Sequence, residues 1–315
     1  MPFRNAHLQT ILCSSRIRFW NAGSQQNKNR EIVLETDNGV RLIGYQLTPK
    51  NRTAKGLVIL LHGWEGSANS IYILRTARHL YRQGYAVFSL NYRDHGDSHH
   101  LNEDLFYATR LDEVSQAVQQ VSRLLKKIPV FIVGFSLGGN FALRIARRCE
   151  QEGIDSLRHS VCISPVLDPD NATDKIDAKP YIRKYFLDKW RRSLLKKEEL
   201  YPHRFDFSSM LHLNTIRALT EALLAKYSEF NSVKEYFDGY TLLNDALKDI
   251  SVSTTIITAA DDPIIGVGDF YKLQLNGLTN LAVQSYGGHN GFITGYSLAS
   301  WYEQRIVELF DRIID

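Results

Sequence analysis

Residues 131–142 read Phe-Ile-Val-Gly-Phe-Ser-Leu-Gly-Gly-Asn-Phe-Ala. The side chains are apolar up to Gly134, Phe135-Ser136-Leu137-Gly138-Gly139 follows, and Asn140 to Arg148 has helix-forming composition. The pattern is strand, sharp turn, helix, with a serine at the turn. Gly134 and Gly138 flank Ser136 at two residues on either side. A strand that reverses directly into a helix brings these two positions close, so a β-carbon at either would clash. Such a turn holds its serine in a strained backbone conformation, hydroxyl outward, above a helix N-terminus. The free amides there, beginning with that of Leu137, are placed to stabilise a developing oxyanion. The bland alternative is a glycine-rich turn with an incidental serine. The buried strand before it and the helix after it argue against that, because they are the context a nucleophile turn requires.

A nucleophile needs partners, and in this strand–turn–helix setting they follow in the chain order serine, acid, histidine. Thr254 to Ala260 reads as a buried strand that ends in Asp261-Asp262-Pro263. Leu281 to Tyr286 is a second short strand, ending in Gly287-Gly288-His289-Asn290-Gly291. His289 therefore sits in a glycine-rich loop between a strand and the last helix and is the candidate general base. The other nine histidines read as surface or satisfied core residues. Proline disfavours the helical region for the residue before it, so Asp262 is pushed into an extended conformation, suited to projecting toward His289. Asp261 then faces away and bonds its own loop.

At 315 residues the chain has room for one large α/β domain or two ordinary ones. Hydrophobic content of 44% and charged content of 23% are ordinary for a soluble globular protein. The net charge of +4 is small and forms no block, so nucleic acid is not an expected partner. Cys13, Cys149 and Cys162 have no metal-ligand spacing and read as buried bystanders. No stretch has the apolar core of a signal peptide or the ~18 apolar residues of a membrane span. The expectation is a cytoplasmic, reducing location.

From the start of the chain, Leu8, Ile11, Leu12, Ile17, Phe19 and Trp20 make an arm that packs on the body, and Asn21 to Arg30 is a polar loop. Glu31 to Thr36 and Val40 to Leu47 form a hairpin across Asp37-Asn38-Gly39, and Asn51 to Lys55 is a polar connection. Gly56 to Leu61 is a strand buried on both faces, ending in His62-Gly63-Trp64-Glu65-Gly66-Ser67. A glycine-rich loop at this strand end supplies the second oxyanion amide, for which Trp64 is the candidate, with His62 shaping the loop. Ser70 to Arg82 is helical, and Tyr85 to Leu90 is the next strand. Residues 94–100 then carry three histidines and two aspartates. They lie in a turn-rich loop that does not converge ligands, so a solvated connection is expected and no metal site. Leu105 to Lys127 reads as one long helix.

Ser160 to Pro165 is a further strand, after which the α/β alternation breaks. Residues 166–250 contain no clear strand but have helical stretches rich in aromatic and basic residues, which read as a helical cap inserted within one domain spanning 1–315. Tyr181, Tyr185, Phe186, Trp190 and Phe230 are too many aromatics for a solvated surface, and some of them are expected to line an apolar pocket over Ser136. Lys189, Arg191, Arg192, Lys196 and Lys197 are expected outside as a solvated helix face; transient contact with a lipid surface is the other reading of that cluster. Alternation resumes at Ser251 and closes with a helix from Leu298 to Ile314. No P-loop or dinucleotide fingerprint occurs, and no cofactor is expected.

With these residues in hand, the chain resembles the alpha/beta hydrolases, and within them the YheT-like branch of esterases and lipid hydrolases. The resemblance rests on Asn5-Ala6-His7-Leu8-Gln9-Thr10, on the 62–67 loop, on Gly134 to Asn140, on Ala260 to Pro263 and on Gly287 to Phe292. It implies a mostly parallel sheet of about eight strands flanked by helices. It also implies a Ser136–His289–Asp262 triad with an oxyanion hole from the Trp64 and Leu137 amides, acting without cofactor or metal on a small-molecule acyl ester. There are departures. Arg93-Asp94-His95-Gly96 stands where arginine followed by glycine is usual, and Leu105-Phe106-Tyr107-Ala108 replaces a Tyr-His-Ser-Gly stretch. Animal relatives have a membrane-spanning segment ahead of the N-terminal motif, whereas this chain reads as soluble. An acyltransferase using the same triad and a hydrolase-fold binding protein without turnover are the alternatives. Chain length of the acyl group, leaving group and oligomeric state are not legible.

Overall fold

The protein is described from a computed structural model covering residues 4–19, 30–50 and 53–314. Trp20, the polar run 21–29 and the start of the 51–55 connection lie outside these residues. The strands are β1 (Arg30–Glu35), β2 (Arg41–Leu47), β3 (Leu57–Leu61), β4 (Ala86–Asn91), β5 (Val130–Phe135), β6 (Leu157–Ile163), β7 (Thr254–Ala259) and β8 (Thr279–Gln284). They form one sheet in the order β1-β2-β4-β3-β5-β6-β7-β8. β2 runs antiparallel to both of its neighbours, and every pairing from β4 to β8 is parallel. The fold is therefore the mostly parallel eight-stranded α/β sheet expected, with the hairpin at one edge. The Asp37–Gly39 connection is a tight turn in which Asn38 (φ 63°) and Gly39 (φ 71°) take left-handed conformations. Residues that tolerate positive φ are what such a turn needs.

The helices are α1 (Ala6–Cys13), α2 (Ile71–Arg82), α3 (Leu111–Ser122), α4 (Leu137–Arg148), α5 (Pro169–Asp177), α6 (Pro180–Leu200), α7 (Ile216–Tyr227), α8 (Val233–Asp238), α9 (Val267–Tyr271) and α10 (Trp301–Ile314). Alternate residues of β3 serve two cores. Leu57, Ile59 and Leu61 pack with α3 and α4, while Val58 and Leu60 pack with α2 and α10. That division is why the strand is apolar throughout rather than alternating.

Several boundaries differ from the sequence reading, among them the end of α3 at Ser122 rather than Lys127 and the span of β8; the starts of two helices have a clear cause. The helix expected from Leu105 begins only at Leu111, because the Phe106 amide is taken by Asp94 Oδ2 (3.0 Å) and the Ala108 amide by the Tyr236 hydroxyl (3.2 Å). The closing helix begins at Trp301 rather than Leu298, after a two-stranded ribbon, β9 (Ile293–Thr294) with β10 (Ala299–Ser300). Between β6 and β7 the elements are α5 to α8, with no strand among the described residues.

The turn at Ser136 is as tight as its glycines imply. A β-carbon built on Gly134 would lie 2.1 Å from the Gly138 carbonyl oxygen, and one on Gly138 would lie 2.2 Å from that of Leu61. Both obstacles are backbone, so neither swings aside. Gly134→Ala is expected to cost about 3 kcal/mol of stability, the upper part of the overpacking range, seen as a lower denaturant midpoint.

Candidate active site

Because β3, β5, β6, β7 and β8 are parallel, the loops that follow them gather at one edge of the sheet. Ser136 stands between β5 and α4 with φ 54° and ψ −114°, a strained conformation for a residue with a β-carbon. Its amide donates to Ile163 O at the end of β6 (2.9 Å), and its carbonyl accepts from Asn140 N (3.0 Å). The side chain is thereby aimed off the sheet edge. Ser136 Oγ lies 3.0 Å from His289 Nε2, and His289 Nδ1 lies 2.9 Å from Asp262 Oδ2. A carboxylate only accepts, so Nδ1 carries the proton and Nε2 is left as the acceptor facing the serine hydroxyl.

Asp262 is fixed on its other side, where Oδ1 accepts the amides of Ile264 (2.8 Å) and Ile265 (2.9 Å). Its side chain is fully buried. Asp261 does not bond its own loop, as the sequence reading had it. Its Oδ1 accepts the amides of Gly287 and Gly288, both at 2.9 Å, and so ties the end of β7 to the loop that carries His289. Asp262 holds the histidine ring, and Asp261 holds the backbone of the two glycines that precede it.

The loop after β3 runs beside the serine: a β-carbon on Gly63 would lie 3.2 Å from Ser136 Cβ. Among the described residues the amides of Trp64 and Leu137 donate to no acceptor within the chain. His62 is buried, with Nδ1 on Gly63 O (2.8 Å) and Nε2 receiving the Tyr92 amide (3.4 Å). Burial holds its pKa well below the usual imidazole value, which suits a neutral residue that shapes the loop.

The N-terminal arm does more than pack. Asn5 caps α1 by accepting from Leu8 N. Thr10 Oγ1 accepts the His289 amide (2.9 Å) while donating to Ala6 O (2.8 Å). The Gln9 amide brackets Ile293 through both its N–H (2.8 Å) and its carbonyl (3.1 Å). Cys13 Sγ meets Asn290 O at 3.1 Å, and His7 bonds the Tyr181 hydroxyl on α6. The local sequence has no feature that pairs Thr10 with a residue 279 positions away. The motif Asn5 to Thr10, polar residues interleaved with apolar ones, is the one sign that the arm has specific partners. Cys13, Cys149 and Cys162 are free and buried.

The loop of residues 92–102 corrects the expectation of a solvated connection. Asp94, His95, Ser98 and His99 are buried. They dock α6: Lys197 Nζ pairs with Asp94 Oδ1 (2.8 Å), and Ser193 Oγ meets His99 Nε2 (2.8 Å). Burial pushes Asp94 up to about 6 against the pull of Lys197, and lowers His95 to about 4. No metal-holding cluster of His, Cys, Asp or Glu occurs among the described residues.

A cavity of about 780 Å³ opens onto Ser136, His289 and Trp64. Its wall includes Phe106, Ile182, Leu223 and Phe237, together with Tyr181, Tyr185, Phe186 and Trp190. Trp64 stacks on Phe186 and meets Trp190 edge-on. Phe230 is not in the wall; it packs against Tyr107 and Tyr236 instead. The basic residues are not all outside either. Lys189 and Lys197 line the cavity, and Arg191 donates to Leu213 O (2.7 Å), which leaves Arg192 and Lys196 nearer the solvated face expected for all five. The sequence reading failed here because α6 is covered on two sides, by the 92–102 loop and by the Trp64 loop.

Residues 56–235 match the family described as alpha/beta hydrolase fold. The chain is 23% identical over 313 residues to the Escherichia coli protein named "Putative esterase YheT", covering 96% of this chain and 89% of that one. It is 24% identical over 272 residues to an abhydrolase domain-containing protein of Dictyostelium discoideum, covering 82% and 67%. Among solved structures, the Pyrococcus furiosus esterase Pf2001 superposes with a TM-score of 0.61 at 18% identity, covering 91% of each chain. No helix among the described residues is long and apolar enough to cross a membrane.

Proposed function

The chain belongs to the alpha/beta-hydrolase-fold family, and from that premise we propose that it is a serine hydrolase cleaving carboxylic esters of small molecules through an acyl-enzyme. The observation that carries this reading is the unbroken chain Ser136 Oγ–His289 Nε2 (3.0 Å) and His289 Nδ1–Asp262 Oδ2 (2.9 Å), mounted on a strained turn at a helix N-terminus. Ser136 attacks the acyl carbonyl as His289 Nε2 takes its proton. The charge that develops on the carbonyl oxygen is met by the amides of Leu137 and Trp64, which have no other acceptor among the described residues. His289 then protonates the departing alcohol. In the second half it draws a proton from water, which attacks the acyl-enzyme and frees Ser136 with the carboxylic acid. Asp262 keeps the proton on Nδ1 and stabilises the imidazolium in both halves.

In this reading residues 166–250 act as a cap within a single domain, and α6 supplies Tyr181, Tyr185, Phe186 and Trp190 to the aromatic wall that receives the acyl chain. The test is reaction with a fluorophosphonate probe together with hydrolysis of p-nitrophenyl esters of graded chain length. A chain that neither labels nor turns over any ester would overturn the proposal. Carrying out the reaction with competing alcohols and analysing the products separates hydrolysis from acyl transfer.

Thr10 is a positioning residue here, since its hydroxyl holds the amide of His289. Thr10→Val keeps the shape and removes the acceptor. Loss of one such bond is worth about 1 kcal/mol, so kcat should fall roughly 5- to 10-fold. Thr10→Ser should restore it, and the melting temperature recorded alongside separates misplacement of the histidine from simple destabilisation.

A further inference from the structure

Lys189 lies on α6 and lines the cavity that holds Ser136 and His289. Its Nζ donates to Glu65 O at 2.9 Å and stands 4.9 Å from the centre of the Tyr185 ring. Glu65 follows Trp64 and has φ 54°, the left-handed region that a residue with a β-carbon enters only when its surroundings force it. The ammonium is therefore anchored beside the loop that runs along Ser136.

The neighbouring lysines of α6 are neutralised, Lys196 by Asp97 (3.3 Å) and Lys197 by Asp94 (2.8 Å). Lys189 forms no ion pair among the described residues. Two acids that line the same cavity, Glu65 and Asp94, form no ion pair with it. Asp94 is committed to Lys197. The Glu65 carboxyl has no hydrogen-bond partner among the described residues, and burial pushes it up to about 8, with Lys189 and Arg192 pulling the other way and Asp94 adding to the rise. At neutral pH Glu65 is then mainly protonated. Lys189 is thus a half-buried cavity-lining cation with no ion pair among the described residues, placed among many aromatic and aliphatic side chains, where an anion can join it.

We infer that the ester substrate carries an anionic group, a carboxylate or a phosphate, that binds Lys189 Nζ, so that the site selects charged esters over neutral ones of the same size. This rests on the reading of Ser136 as nucleophile.

Two matched pairs test it. Mono-4-nitrophenyl glutarate against 4-nitrophenyl valerate places a carboxylate on the acyl chain, and 1-butyrylglycerol 3-phosphate against 1-butyrylglycerol places a phosphate on the leaving group. In at least one pair kcat/KM should favour the anionic member roughly 10- to 100-fold, the worth of one charge-assisted hydrogen bond. Lys189→Met should bring that ratio close to one, and Lys189→Arg should keep most of it. The ratio should also fall as pH rises past about 8, because Glu65 then ionises and neutralises Lys189 in place of the substrate. Binding of the mono-anilide of glutaric acid, followed by calorimetry, gives a readout that does not depend on turnover. It should weaken in Lys189→Met by the same factor. No preference in either pair, or an unchanged ratio in Lys189→Met, overturns the inference and leaves Lys189 a clamp on the Trp64–Glu65 loop. Anilide binding that depends on Lys189, with no turnover of any ester, supports the anion site and overturns the ester-hydrolase reading instead.

Discussion

Ser136→Ala should abolish ester turnover, lowering kcat by on the order of a million-fold, the loss typical when the nucleophile of such a triad is removed. The variant should fold as the parent does. The strain at residue 136 is a property of the backbone, held by the hydrogen bond that its amide donates to Ile163 O and by the packing of Gly134 on Gly138, neither of which involves the hydroxyl. Alanine bears the same β-carbon at φ 54° and loses one oxygen. Turnover of p-nitrophenyl esters and labelling by a fluorophosphonate are to be measured together with the melting temperature. An alanine variant that keeps a tenth of the parent activity would show that the nucleophile lies elsewhere.

The second large effect separates two adjacent aspartates. Asp262→Asn should lower kcat by about ten-thousand-fold. An amide at this position offers an N–H to His289 Nδ1, so the ring proton moves to Nε2, and Nε2 can then no longer accept from Ser136. Asp261→Asn should cost less than about ten-fold. The oxygen that accepts from Gly287 and Gly288 survives as an amide carbonyl, and the other carboxylate oxygen has no hydrogen-bond partner among the described residues to lose. Comparing the two variants at saturating substrate decides the assignment; equal losses would mean that the ring contact of Asp262 does not set the tautomer.

Residues 166–250 illustrate how a missing strand pattern can be read while the facing of a helix cannot. An interval of 85 residues without strand pattern is visible because period-2 and period-3.6 apolar spacing differ over any run of ten or so residues. Which face of α6 meets water is not visible in the same way. Lys189, Arg191 and Lys197 read as a solvated stripe, yet each finds a buried or half-buried acceptor on another element. The same blindness applies to Asp94, His95 and His99, polar residues in a turn-rich loop that looks solvated until α6 lies across it.

The sequence by itself determined the eight strands of the sheet, the strand–turn–helix around Ser136 and the chain order of Ser136, Asp262 and His289. Each of these is written in spacing over a few residues, where sterics of glycine, proline and apolar periodicity act locally. Tertiary structure alone decided that α3 starts at Leu111, that Asp261 holds the histidine loop, that Thr10 reaches the His289 amide, and that Lys189 lines the cavity with no ion pair among the described residues. These depend on which acceptor or charge arrives from a segment as many as 279 residues away, and no short-range pattern encodes the partner of a hydrogen bond closed at that distance.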